Sequence, residues 1–268
     1  MIKLSDLLLN PKRAERHPFE IIFIGFFYAS LSLLFSIWLF PEYASLFMVF
    51  LAVLSCLYVV QGALIIDEKK EKDSNPEYKL LRRHFKTLLF FMFLFIGFLA
   101  GFTFWALLLP EKTLFTAFSI QDSVLQNISI ITGNSVYYNT FFKIISNNIR
   151  VLLISLLLAL FYGAGAVFIL AWNASIMGFV IASLTRNVFG FSSFPRIVLK
   201  YFLHGIPEMF SYFAAALAGG IFFISLIKGD IKKGKIKRII TDFFIILLAS
   251  VFLLFLAALI ETYISPLV

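Results

Sequence analysis

The sequence has little of what a soluble protein needs. Charged residues make up only 14% of its 268 residues, against about a quarter in soluble domains. It has one cysteine, Cys56, inside an apolar run, which excludes an internal disulfide and a cysteine-based metal site within one chain. It has three histidines, and His17 and His84 lie in basic segments. No Gly-rich phosphate loop, serine nucleophile elbow or paired-carboxylate signature stands out, so soluble-type catalysis has little support. No basic, aromatic-laced soluble module is left over, so the net charge of +8 is not read as nucleic-acid binding. The opening stretch MIKLSDLLLNPKRAERHP lacks a cleavable signal pattern, because its basic residues follow its short apolar patch. Ile2, Leu4, Leu7 and Leu8 suit a short interfacial helix.

What is present is hydrocarbon. Hydrophobic residues make up 61% of the chain, with 35 phenylalanines and a mean hydropathy of +0.95. Such a surface needs lipid to cover it. The expected fold is all-α: a polytopic transmembrane helical bundle of about seven spans, forming a single integral membrane domain over residues 1–268. A span needs about 20 mostly apolar residues. The first three spans, within 19–109, read as a lipid-facing scaffold: Phe19 to Phe40, Tyr43 to Ile66 and Phe85 to Leu109. Residues 110–147 carry Gln121, Asp122, Gln126 and Asn127 and read as an amphipathic segment at the interface or over the bundle mouth. Residues 148–261 hold the remaining spans. Asn148 opens the fourth, which runs to Trp172. Asn173 starts a short or broken fifth helix through NASIMGFVIASLTRN, the sixth runs from Val198 to Ile227, and the seventh from Ile239 to Ile260.

Orientation follows from basic residues in short loops. With seven crossings, one side carries seventeen Lys and Arg and the other six. The expectation is a multi-pass protein of the plasma membrane with a cytoplasmic N-terminus, an outside C-terminus and anionic lipid headgroups as partners. Arg150 and Arg186, near span ends, suit snorkelling to headgroups, and Glu20 and Glu261 suit the interface. Ala215 with Gly219, and Ala216 with Gly220, stand one turn apart and allow close helix approach. An intrachain seam is preferred there over a homodimer or a larger membrane complex.

The chemistry concentrates in HGIPE. His204 and Glu208 are four apart and share a helix face, well inside the sixth span. Ionisable groups at such depth usually face a cavity or each other. Pro207 lacks an N–H and predicts a kink that frees the Leu203 carbonyl. Gly205 permits close approach of another backbone. Three readings stand open: a structural His–Glu hydrogen bond, a divalent-metal site such as zinc, and a proton or ion relay. Two ligands are too few for a metal, and Asn148 and Asn173 are candidates for the rest. Each asparagine serves equally well as a helix cap.

Three stretches, SNNIRV, WNASIMGFV and LHGIPEMFSYFAAALAGG, together resemble the stage II sporulation protein M family of membrane proteins. The resemblance covers roughly residues 139–225. It implies that Asn147, Asn148, Asn173, His204, Gly205 and Glu208 are the family's polar positions. Ala174 stands where Gly is usual and Leu203 where Pro is usual. Bacterial members are associated with envelope remodelling during engulfment, alongside peptidoglycan-degrading partners, and members also occur where no spore forms. The expected function is a non-enzymatic scaffold or transport-type membrane protein with a buried polar site suited to a divalent metal. The alternative is a metal-dependent intramembrane hydrolase, with Glu208 as ligand or general base.

Overall fold

A computed structural model describes residues 18–72, 80–124, 137–162, 166–227 and 236–267. The expected N-terminal interfacial helix, His17, and residues 125–136 of the amphipathic segment lie outside this set. So does the basic stretch 228–235. Every regular element among the described residues is helical. In chain order these are α1 (Pro18–Leu39), a 3-10 turn (Pro41–Tyr43), α2 (Ala44–Lys72), α3 (Leu80–Leu108) and α4 (Glu111–Ala117). There follow α5 (Tyr137–Tyr162), α6 (Ala166–Leu184), α7 (Phe194–Ile227) and α8 (Ile236–Leu259). π-helical turns extend α6 over Thr185–Phe189 and α8 over Ile260–Ile264, and a 3-10 turn covers Ser265–Leu267.

Among the described residues, six stretches are long and apolar enough to cross a membrane: Phe19–Leu39, Pro41–Val60, Phe85–Leu108, Thr140–Ala159, Val167–Phe189 and Ile239–Leu267. The expected sixth span, α7, is not among them. It is nevertheless the longest helix, at 34 residues, or about 50 Å at about 1.5 Å per residue.

The expected short fifth helix is corrected. Its apolar stretch is 23 residues long, Val167–Phe189, because α6 begins before Asn173. The boundary between α5 and α6 flanks Gly163, Ala164 and Gly165, which lie outside the described residues. Asn173 does not mark the junction, since it lies inside α6. Asn148 likewise opens nothing: α5 starts at Tyr137.

Contacts fix the helix directions. Gly25 and Gly97 bring α1 and α3 together, and a Cβ on Gly25 would lie 2.8 Å from the Leu94 carbonyl oxygen. Further along, Ala29 meets Gly101, so the two helices are parallel. Gly178 meets Phe102 and Thr103, and Arg186 reaches Ala106 and Leu109, so α6 is parallel to both. Phe213 of α7 packs on Phe91 and Phe95 of α3, while Gly205 meets Met177 of α6 near the opposite end, so α7 runs the other way. Phe222 pairs with Phe243 and Ser211 with Ser250, which makes α8 antiparallel to α7. Phe141 against Phe255, with Leu156 against Gly219, makes α5 parallel to α7.

The lipid-facing scaffold is also reassigned. The α3 stretch is 72% buried, the highest of the six, while the α5 and α8 stretches are 22% and 28% buried. Thus α3 is the centre, packed on α1, α2, α6 and α7. It is built from Phe90, Phe91, Phe95, Phe98 and Phe102, all buried. The segment after α3 is amphipathic, as its pattern implies, but docks through its inner face. Leu114, Ala117, Phe118 and Gln121 are buried at helical spacing, and Phe118 stacks on Phe179.

Candidate functional site

The polar cluster forms where α7 meets the end of α8. His204, Glu208 and Tyr212 follow one another by single turns along α7, which continues as helix through Pro207. The missing Pro207 N–H leaves the Leu203 carbonyl without its usual helical donor. His204 and Glu208 each find a hydrogen bond elsewhere than in each other. His204 is buried and its Nδ1 lies 3.0 Å from the Ser265 hydroxyl. The Tyr212 hydroxyl donates to Glu208 Oε1 at 2.7 Å. The expected His–Glu bond is replaced by these two because the C-terminal turns bring Ser265 beside the ring.

Glu261 sits half-buried in the π-helical turn that ends the last span. Tyr201 lays its ring 5.8 Å from the His204 ring. π-helical turns re-aim side chains relative to the preceding α-helix and often occur at functional sites. Here the turn packs against α7. Nothing in the sequence near Glu261 announces this, since a glutamate at a span end is ordinary. Tyr212 had a signal, its spacing of four from Glu208, that composition alone does not reveal.

The two asparagines differ. Asn148 is buried on α5; its Oδ1 accepts from the Asn147 Nδ2 at 3.4 Å, and its own Nδ2 has no partner among the described residues. Asn173 lies within α6 and donates from Nδ2 to the Ile169 carbonyl at 2.8 Å. It is tied to its own helix, so neither asparagine acts as a cap. Gly205 admits the Met177 side chain of α6. Gly219 meets the Leu156 carbonyl oxygen at 2.9 Å and Ala159 Cβ at 3.1 Å, measured from an added Cβ, so this small-residue run is an intrachain seam, with Gly220 buried beside it. Among the described residues, no group of three or more His, Cys, Asp or Glu side chains gathers at metal-binding distances.

Two further polar contacts escaped the sequence reading. Arg186 does not snorkel: its Nη1 donates to the carbonyls of Ala106 at 3.0 Å and Leu109 at 2.7 Å. These belong to the last turn of α3, which Pro110 terminates, and a cation there also meets the negative end of the helix dipole. Gln121 is fully buried; its Oε1 accepts from Ser45 at 2.6 Å and its Nε2 donates to Ser175 at 3.0 Å. This links α2 to α6 through the docked segment.

Comparison with curated proteins and with solved structures finds no match. A family model, Stage II sporulation protein M, matches residues 45–266.

Proposed function

The chain belongs to the stage II sporulation protein M family, and from that membership together with the polar cluster we infer a non-enzymatic membrane protein of scaffold or transport type that holds a cation inside its bundle. The observation that carries the reading is the polar stack on α7, where the Glu208 carboxyl accepts from the Tyr212 hydroxyl at 2.7 Å one turn away from the buried His204. A carboxylate inside an apolar bundle calls for a cation beside it. Tyr212 orients the Glu208 carboxyl. The His204 ring, one turn away, supplies a nitrogen suited to a divalent metal such as zinc. The setting proposed for this site is the plasma membrane, with a cytoplasmic N-terminus and anionic lipids against the basic loops.

The test is elemental analysis and thermal unfolding of the purified full chain in lipid nanodiscs. Wild type is compared with Glu208→Gln and His204→Ala, with and without added ZnCl2. A ligand of the folded state raises its stability with concentration, by about 2.7 kcal/mol at a hundred times Kd. The expected result is a zinc-dependent rise in Tm for wild type that both variants lose. Absence of bound metal together with an unmoved wild-type Tm overturns the reading.

A further inference from the structure

Residues 111–124 carry the chain on from α3, and their contacts give them a direction. Phe115 and Phe118 both pack on Phe179 of α6, with ring centroids 6.2 Å and 5.5 Å away. About one turn further on, Gln121 donates from Nε2 to Ser175, about one turn earlier on α6, at 3.0 Å. A step forward along the segment is thus a step back along α6. Because α6 is parallel to α3, the segment turns back from the end of α3 and heads into the bundle. Ser175 stands eleven residues before Arg186, the residue that holds the last carbonyls of α3, or about 16 Å along the helix at about 1.5 Å per residue. The next helix, α5, begins at Tyr137, at the same end of the bundle as the close of α3, so the chain regains that end by Tyr137.

The polar groups of this segment find partners without water. The fully buried Gln121 accepts at Oε1 from Ser45 of α2 at 2.6 Å, and the Ser45 hydroxyl in turn accepts from the Ile120 N–H at 3.1 Å. Ser175 passes its own proton to the Trp172 carbonyl at 2.7 Å. On the open face, Thr116 and Ser123 donate to the carbonyls of Lys112 and Ser119, one turn back, at 2.9 Å and 3.0 Å. The charged Glu111 and Lys112 stand exposed at the entry. Non-spanning backbone is tolerated at membrane depth on this condition, that it is packed against protein and its polar groups are satisfied there. We propose that residues 111–124 form a re-entrant strap, which dips into the membrane from the end where α3 closes, wedges between α2 and α6, and is held at depth by the Gln121 amide. Glutamine suits the place because one side chain accepts from the first helix while donating to the second. Leucine fills the same space with neither bond.

The experiment measures depth. In the full chain carrying Cys56→Ala, the changes Lys112→Cys and Ser119→Cys are made one at a time, labelled with a methanethiosulfonate nitroxide and placed in lipid nanodiscs. Both positions are exposed and, seven apart, share a helix face. A helix lying flat on the membrane would hold the two labels at one depth. Collision rates with dissolved oxygen, which concentrates in lipid, and with a water-soluble nickel chelate report the depth of each label. The expected result is a label at position 119 deeper than that at 112 by up to about 10 Å, the rise of seven residues. Equal depths overturn the proposal. Adding Gln121→Leu should bring the 119 label toward the depth of the 112 label. Ser175→Ala, which removes only the inner bond, should move it the same way by less, and keeps the proposal open to refutation if the leucine variant fails to fold. A 119 label that stays at its wild-type depth in Gln121→Leu, or in Ser175→Ala where the leucine variant does not fold, overturns the holding role of Gln121.

Discussion

At the residue scale, one side of the cluster was legible and the other was not. His204 and Glu208 stand out because ionisable groups deep in an apolar helix are costly and need partners. The partner of Glu208, Tyr212, stands one turn along the same helix, but that of His204 is invisible in the sequence, because Ser265 sits in an unremarkable span end and reaches α7 only through the turns that follow α8. Asn148 and Asn173 were read alike as caps or ligands, and the structure separates them by partner: one amide is satisfied within its own helix and the other is not. The His204–Ser265 bond gives a direct prediction. A double-mutant cycle on His204→Phe and Ser265→Ala should return a coupling of about 1 kcal/mol in unfolding free energy, the net worth of a typical buried hydrogen bond. The measurement is equilibrium unfolding in detergent, followed by helical circular dichroism. Strictly additive single and double variants would show that the two side chains do not meet.

At the scale of the element, apolar run length located every major helix, but boundaries followed backbone chemistry that run length does not record. Asn173 looked like a break because amides favour caps, yet a helical asparagine can return its N–H to the carbonyl one turn back and stay inside. Proline boundaries were more legible. Pro110 ends α3 as its chemistry requires, and that stop leaves carbonyls that Arg186 occupies from the parallel helix α6. Hydrogen bonds to charged groups contribute about 1.5–3 kcal/mol, so Arg186→Ala should lower unfolding stability by about that amount. Arg186→Lys should recover only part of it, since a single ammonium replaces a planar, forked donor. Thermal melts of the three proteins in the same detergent decide this. An alanine variant as stable as wild type would show that the α3 carbonyls are satisfied without the arginine.

For the whole molecule, composition fixed the class and charge asymmetry proposed the orientation, while the packing order lay beyond the sequence. Phenylalanine is equally at home against lipid and in a core, so α3 read as scaffold although its aromatic rings fill the centre. Helix directions now bear on topology independently of charge. With α1, α3 and α6 parallel and α5 and α7 opposed to them, the end of α3 and the start of α5 lie at the same end of the bundle. Since α8 opposes α7, it runs in the same sense as α1, and the first and last spans therefore point the same way. Joined to the seventeen-to-six division of basic residues, this predicts that Lys237, exposed at the start of α8, faces the cytoplasm and that Lys112, exposed on α4, faces outside. The single cysteine is buried, so Cys56→Ala gives a background in which Lys112→Cys and Lys237→Cys are the only thiols. A membrane-impermeant maleimide on intact cells should label the first and spare the second until the membrane is permeabilised. Labelling of Lys237→Cys in intact cells would reverse the orientation, and labelling of both positions would break the odd number of crossings that the helix directions require.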